Sequence, residues 1–238
     1  MGLVVGLICE DGVVIGSDSS RPNPAADTPE PYRPLQKTHV IGGDVLLSSI
    51  GNVGLGQRLE RVLRDLREDS RFPEWDQFMI ARSLAADAWK EFQATQTNLA
   101  GFGALVGFRC VTGVHLCELQ AGDLQPELKG PDAWFTALGP GRATANSLLG
   151  LLHRTIFQSR RPSLPEAVFA AVWALDHACR LHPGWVHRPF HAAVLAAQAE
   201  DRPHPAWLLS TEELSHWLDQ VRQTEQRLET LPLGKWRL

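Results

Sequence analysis

Apolar positions at the start of the chain do not alternate with polar ones. Val4, Val5, Leu7 and Ile8 form one β-prone run, Glu10-Asp11-Gly12 interrupts it, and Val13, Val14 and Ile15 resume it. The pattern predicts a hairpin that begins almost at residue 1. Apolar residues on both parities predict a central place with both faces covered, since a half-exposed strand would alternate. The terminus is therefore expected to start inside the architecture and not as a loose tail. A second hairpin is expected from residues 37–41 and 44–50, turned at Gly42-Gly43. Five prolines between residues 19 and 36 exclude regular structure there.

From Val53 the period changes to that of a helix. Leu59, Val62, Leu63 and Leu66 mark an apolar stripe amid arginines and acids, and Phe72-Pro73 breaks it. A second stripe is read as Phe78, Ala81, Ala85, Ala88 and Phe92, with alanines that permit close approach to a neighbour. Strands are then expected over 99–111 and 114–119, flanking Gly113, and over 134–138. Gly101, Gly103 and Gly107 leave room for tight packing on the first of these. Two further helices follow, one marked by Ala145, Leu148, Leu149, Leu152 and Ile156. The other opens with a Ser163/Glu166 capping box and carries Val168, Val172, Leu175 and Cys179. A strand over 190–195 precedes a last helix, capped by Ser210 and Glu213, with Leu214, Leu218, Val221, Glu225 and Leu228 along one side. Strands, two helices, strands, two helices is the order of an α+β protein. It predicts a four-layer αββα sandwich, two sheets stacked between two helix layers. One domain over 1–238 is expected, with 205–238 as a C-terminal helical extension. Its Trp207, Trp217 and Trp236 suit either a subunit interface or the packing of an appended helix.

Charge and composition narrow the function. A net charge of −4 does not suggest nucleic acid or an anionic membrane surface as partner. No apolar run approaches the roughly 20 residues that span a bilayer, and no basic segment precedes an apolar one, so a cytoplasmic protein is expected. Cys9, Cys110, Cys117 and Cys179 form no CxxC pair. They read as buried thiols, although Cys110 and Cys117 sit where they could be cross-strand neighbours. His182, His187 and His191 come closest to a cluster, yet their spacing crosses a loop and a strand start, so neither a metal nor a cofactor is expected.

The run Val-Gly-Leu-Ile-Cys-Glu-Asp-Gly-Val-Val-Ile-Gly-Ser-Asp ending at Asp18, then Lys37, then Leu-Leu-Ser-Ser-Ile-Gly-Asn-Val-Gly ending at Gly54, resembles a proteasome β-type subunit and the related bacterial self-compartmentalising proteases. The likeness is dense over about the first 60 residues and ordered to about residue 200. It implies the amino-terminal-nucleophile hydrolase fold. It also implies catalysis by a terminal threonine whose own α-amine, with a pKa near 7.7–8.0, acts as base. Matching Gly6 to the family's glycine places that threonine at Gly2, which has no hydroxyl. No Thr, Ser or Cys occurs in the first eight residues, so a short trim exposes no nucleophile. Removal of Met1 would bare the Gly2 amine, whereas a retained Met1 would plug the nucleophile's space.

The other family positions are partly kept. The resemblance gives Asp18 the orienting carboxylate, Lys37 the cation that lowers the nucleophile's proton affinity, and Gly51 an oxyanion-binding amide. An accessory aspartate and serine are expected near Pro183 and Val186. However, no Asp lies between His177 and Glu200 and no Ser between Ser163 and Ser210. Pro140 also removes an amide from the turn at residues 139–141. Three readings follow. The first is a proteasome-like subunit without peptidase activity, self-assembling as a structural or regulatory protein. The second is an amino-terminal-nucleophile peptidase or amidohydrolase with unrecognised processing. The third is a protein that binds a peptide or small molecule in the vestigial cleft of Gly2, Asp18, Lys37 and Gly51. The resemblance implies a homo-oligomer.

Overall fold

In the computed structural model, which describes residues 2–20, 34–95, 98–198 and 202–230, the chain opens with strands β1 (Val4–Ile8) and β2 (Gly12–Ser17). Strands β3 (Thr38–Ile41) and β4 (Val45–Ile50) form the second hairpin, and helices α1 (Val53–Glu68) and α2 (Gln77–Gln93) follow. Next come β5 (Gly103–Cys110), β6 (Gly113–Leu119), β7 (Pro126–Leu128) and β8 (Phe135–Leu138), then α3 (Arg142–Thr155) and α4 (Leu164–Leu181). Strands β9 (His191–Ala196) and β10 (Ala206–Leu208) and helix α5 (Thr211–Glu229) are the last elements among the described residues. One antiparallel sheet has the order β10-β9-β2-β1-β8 and the other β3-β4-β5-β6-β7.

The amino-terminal hairpin is central, as its pattern requires. β1 is flanked by β2 and β8, β2 by β1 and β9, and every residue of both strands is buried. Alternation along β4 sorts two cores. Leu46 points between the sheets into the core shared with β1, β2, α3 and α4, while Val45 and Leu47 point outward under α1 and α2. Each large apolar side chain buried this way contributes about 1.5–3 kcal/mol. Glycine lets the two sheets approach. A β-carbon on Gly6 would lie 2.8 Å from Leu105 Cδ1, and one on Gly107 would lie 3.1 Å from Val13 Cγ1.

Helix ends follow their capping residues. Asn52 Oδ1 accepts from Gly54 N at 2.8 Å to open α1, and both expected boxes, Ser163/Glu166 and Ser210/Glu213, are formed. Arg160 beside Glu166 holds that carboxyl well down, to about 2. Helix α5 packs on the outside of α4, tied by Glu225, which accepts from Trp173 Nε1 at 2.9 Å and from the Arg180 guanidinium.

Some expectations fail on side-chain weight and edge position. The buried stripe of α2 is Ile80, Ala81, Leu84, Ala88 and Phe92. Phe78 is 66% exposed and Ala85 only half-buried, because alanines fit either helical frame and the branched Ile80 and Leu84 decide it. Ile156 lies just past α3 and is exposed. Cys110 pairs with Gly113 and Cys117 with Val106, so the two thiols are not neighbours, and all four cysteines are free. Residues 98–102 are a turn ahead of β5 and not strand. Ahead of α5, β10 joins the edge of a sheet by pairing Trp207 with Val194.

Candidate active-site remnant

Strand ends bring the site together. β2 delivers Asp18 one residue past its last paired position, and Lys37 stands one residue before β3. Both are buried, and Lys37 Nζ donates to Asp18 Oδ1 at 2.5 Å. The same Oδ1 accepts from Leu3 N at 2.9 Å, while Asp18 N donates to Leu3 O at 3.0 Å, so the carboxylate grips the main chain beside Gly2. Its Oδ2 accepts from Ser20 N and His187 N, each at 3.1 Å, and from Ser20 Oγ. Five donors therefore converge on one carboxylate, which compensates its removal from water.

Lys37 is the electrostatically stressed member. Burial pushes its amine below the ordinary lysine value, and the adjacent Asp18 carboxylate offsets this only in part. The consequence for stability has a definite sign. Between the folded value and the ordinary 10.5, Lys37 is neutral when folded and protonated when unfolded, so unfolding takes up a proton and stability rises with pH. Denaturant titrations should show wild type gaining on Lys37→Met as pH climbs towards 10.5; a difference that stays flat or shrinks would contradict it.

Beneath the pair a buried chain of hydroxyls joins the sheets. Ser17 Oγ and Thr38 Oγ1 are 2.8 Å apart, and Thr38 Oγ1 donates to Ser48 Oγ at 3.2 Å. Above it, Lys37 and Gly51 line one cleft of about 120 Å³ together with His39, Ser49, Gln57 and Glu60. Gly51 has φ +90°, and a β-carbon there would lie 2.5 Å from Gly101 O, so close packing alone requires glycine at this position.

The accessory network is built from other parts than the sequence suggested. Pro183 and Val186 contribute no polar side chain. Instead the same loop offers the His187 amide to Asp18, the Trp185 carbonyl 2.8 Å from Ser20 Oγ, and His187 Nδ1 2.9 Å from that hydroxyl. Ser19 N closes the joint by donating to His187 O at 3.0 Å. Ser20 is one of three serines within two residues of Asp18, but a backbone amide leaves no signature in a sequence.

Gly2 occupies the centre of this arrangement. Its φ is +115°, and a β-carbon on it would stand 2.1 Å from Lys37 Nζ and 2.5 Å from Asp18 Oδ1. Gly139 packs against its main chain, a β-carbon there falling 1.9 Å from Gly2 O. Cys9, the nearest thiol in sequence, is buried, and desolvation drives its ionisation far above the usual range. It packs as a buried, un-ionised thiol of the core. Met1 and residues 21–33 of the proline-rich loop lie outside the described residues. Among the described residues, no group of three His, Cys, Asp or Glu side chains is placed to hold a metal ion.

Two stacked antiparallel sheets between helix layers form an αββα sandwich, the fold type of the amino-terminal-nucleophile hydrolases. Within that class the solved structures most like this chain include Anbu proteins, one of which is described as an ancestral β-subunit. That protein, from Yersinia bercovieri, superposes with a TM-score of 0.71 at 15% identity, over 99% of this chain and 97% of that one. The Anbu (Gly-1) mutant from Hyphomicrobium sp. strain MC1 gives 0.74 at 15% identity, covering 100% and 99%. Anbu from Pseudomonas aeruginosa, solved as a helical assembly, gives 0.72 at 18%, covering 99% and 97%. No protein-family model matches the chain, and no curated protein matches it in sequence. At these identities the likeness is one of fold, and it extends through α5 to nearly the whole chain.

Proposed function

We propose that the chain is a proteasome-like subunit that assembles with copies of itself, does not hydrolyse peptides, and serves as a structural or regulatory protein of the cytoplasm. Gly2 carries the reading. At the place where the fold presents a nucleophile there is neither hydroxyl nor thiol, while Asp18 and Lys37 persist as a paired remnant in contact range of the glycine. The helical assembly of the Pseudomonas aeruginosa protein supports self-association. So do large apolar side chains exposed on both helix layers, Phe78 and Trp89 on α2 and Leu151 and Leu181 on α3 and α4. Among the described residues no helix is long and apolar enough to cross a membrane.

Light scattering coupled to size exclusion at micromolar concentration should report at least two chains of 26.3 kDa, unchanged by moderate salt because the contact is mainly apolar. A monomer would overturn the assembly. Fluorogenic peptide libraries and an epoxyketone probe should give neither turnover nor adduct. Turnover abolished by Lys37→Ala would overturn the inactive reading.

A further inference from the structure

We infer that the site is rebuilt around a glycine main chain at position 2, with the Lys37–Asp18 pair closed into the volume a nucleophile's side chain would need. Inactivity is then a property of the closed site and not only of one missing hydroxyl. Two contacts carry this. Lys37 Nζ and Asp18 Oδ1 stand 2.1 and 2.5 Å from where any β-carbon at position 2 must lie, far inside contact distance. The lysine end is flexible, but Asp18 is not: its two oxygens are fixed by Leu3 N, Ser20 and His187 N as well as by Lys37. The main chain of residue 2 is also closely packed, since a β-carbon on Gly139, at φ +101°, would lie 1.9 Å from Gly2 O. The backbone at Gly2, φ +115°, is moreover one that L side chains rarely adopt. A side chain at position 2 therefore has to push the carboxylate or the lysine away, and either movement breaks the pair.

This inference rests on the reading of an inactive subunit, which assays on the wild-type chain test separately. Its own test is a cycle of Gly2→Ala and Lys37→Met, the latter removing the Nζ atom and leaving most of the stem. The strained φ and the contact with Asp18 are common to both backgrounds, so the cycle isolates the collision with Lys37 Nζ. Gly2→Ala should lower Tm by about 5 °C or more in the wild-type background, and by distinctly less beside Lys37→Met. Gly2→Thr, with Met1 removal checked by intact mass, should gain no epoxyketone adduct. Equal Tm losses in the two backgrounds would overturn the inference, as would covalent labelling of Gly2→Thr.

Discussion

Replacing Asp18 by alanine should be among the most destabilising single changes in the protein, costing about 3–5 kcal/mol, the range for breaking a buried ion pair by removing one partner. Asp18 is fully buried and accepts from Leu3 N, Ser20 N, Ser20 Oγ, His187 N and Lys37 Nζ. Its removal takes the paired carboxylate from a buried ammonium and the shared acceptor from three backbone amides. In a chain of this size the midpoint should fall by on the order of 10 °C. Asp18→Asn keeps oxygen acceptance on one side but loses the charge, and should land between wild type and alanine. Urea denaturation of the three proteins checks the order. A loss below about 1 kcal/mol for Asp18→Ala, within the range of surface pairs, would mean the pair contributes little to folding.

Much of this site was legible because its parts are ordered along the chain. Asp18 closes a strand, Lys37 opens another, and the glycine at position 2 falls one strand-length before the turn, so the family resemblance could set each in place residue by residue. What the sequence lacked was any mark for main-chain groups. The resemblance implies a carboxylate and a hydroxyl from the loop at 182–190, whereas its contribution is an amide, a carbonyl and an imidazole nitrogen. The reason for Gly2 was equally hidden, since the collision with Lys37 arises only once the two sheets are stacked.

The same division holds for the fold. Central strands announced themselves through unbroken apolar runs, and helix starts through capping boxes, both of which are local signals. The three-residue strands β7 and β10 are each held by one neighbour at a sheet edge, too short for a period to show. In α2 the helix was plain but its rotation was not, because alanine is tolerated on either side and only packing against the second sheet selects Ile80 and Leu84. Trp236 lies outside the described residues, while Trp207 and Trp217 are half-buried against the core that α4 covers. That position gives both tryptophans a packing role within the chain.

Truncation of Trp134 should be comparably severe for a different reason. The indole is 2% exposed and meets Phe135, His153 and Phe157 edge-on, at centroid distances of 4.9, 5.3 and 6.1 Å. Its carbonyl accepts from Ile8 N at 2.6 Å, which anchors the far end of β1. Trp134→Ala leaves a cavity that the surrounding rings cannot fill, at about 3–5 kcal/mol. The effect should also reach the site, because β8 starts at the next residue and its register with β1, Val4 opposite Leu138, is what seats Gly139 against Gly2. Phenylalanine separates the contributions. Trp134→Phe keeps a ring in the cluster and removes an Nε1–H that is buried without a hydrogen-bond partner among the described residues. Losing that orphan donor, whose burial costs about 1–3 kcal/mol, offsets part of the lost volume. Trp134→Phe should therefore retain most of the stability that Trp134→Ala forfeits. Equal losses from the two substitutions in urea denaturation would show instead that the indole's full size, and not the presence of a ring, holds β8 in register.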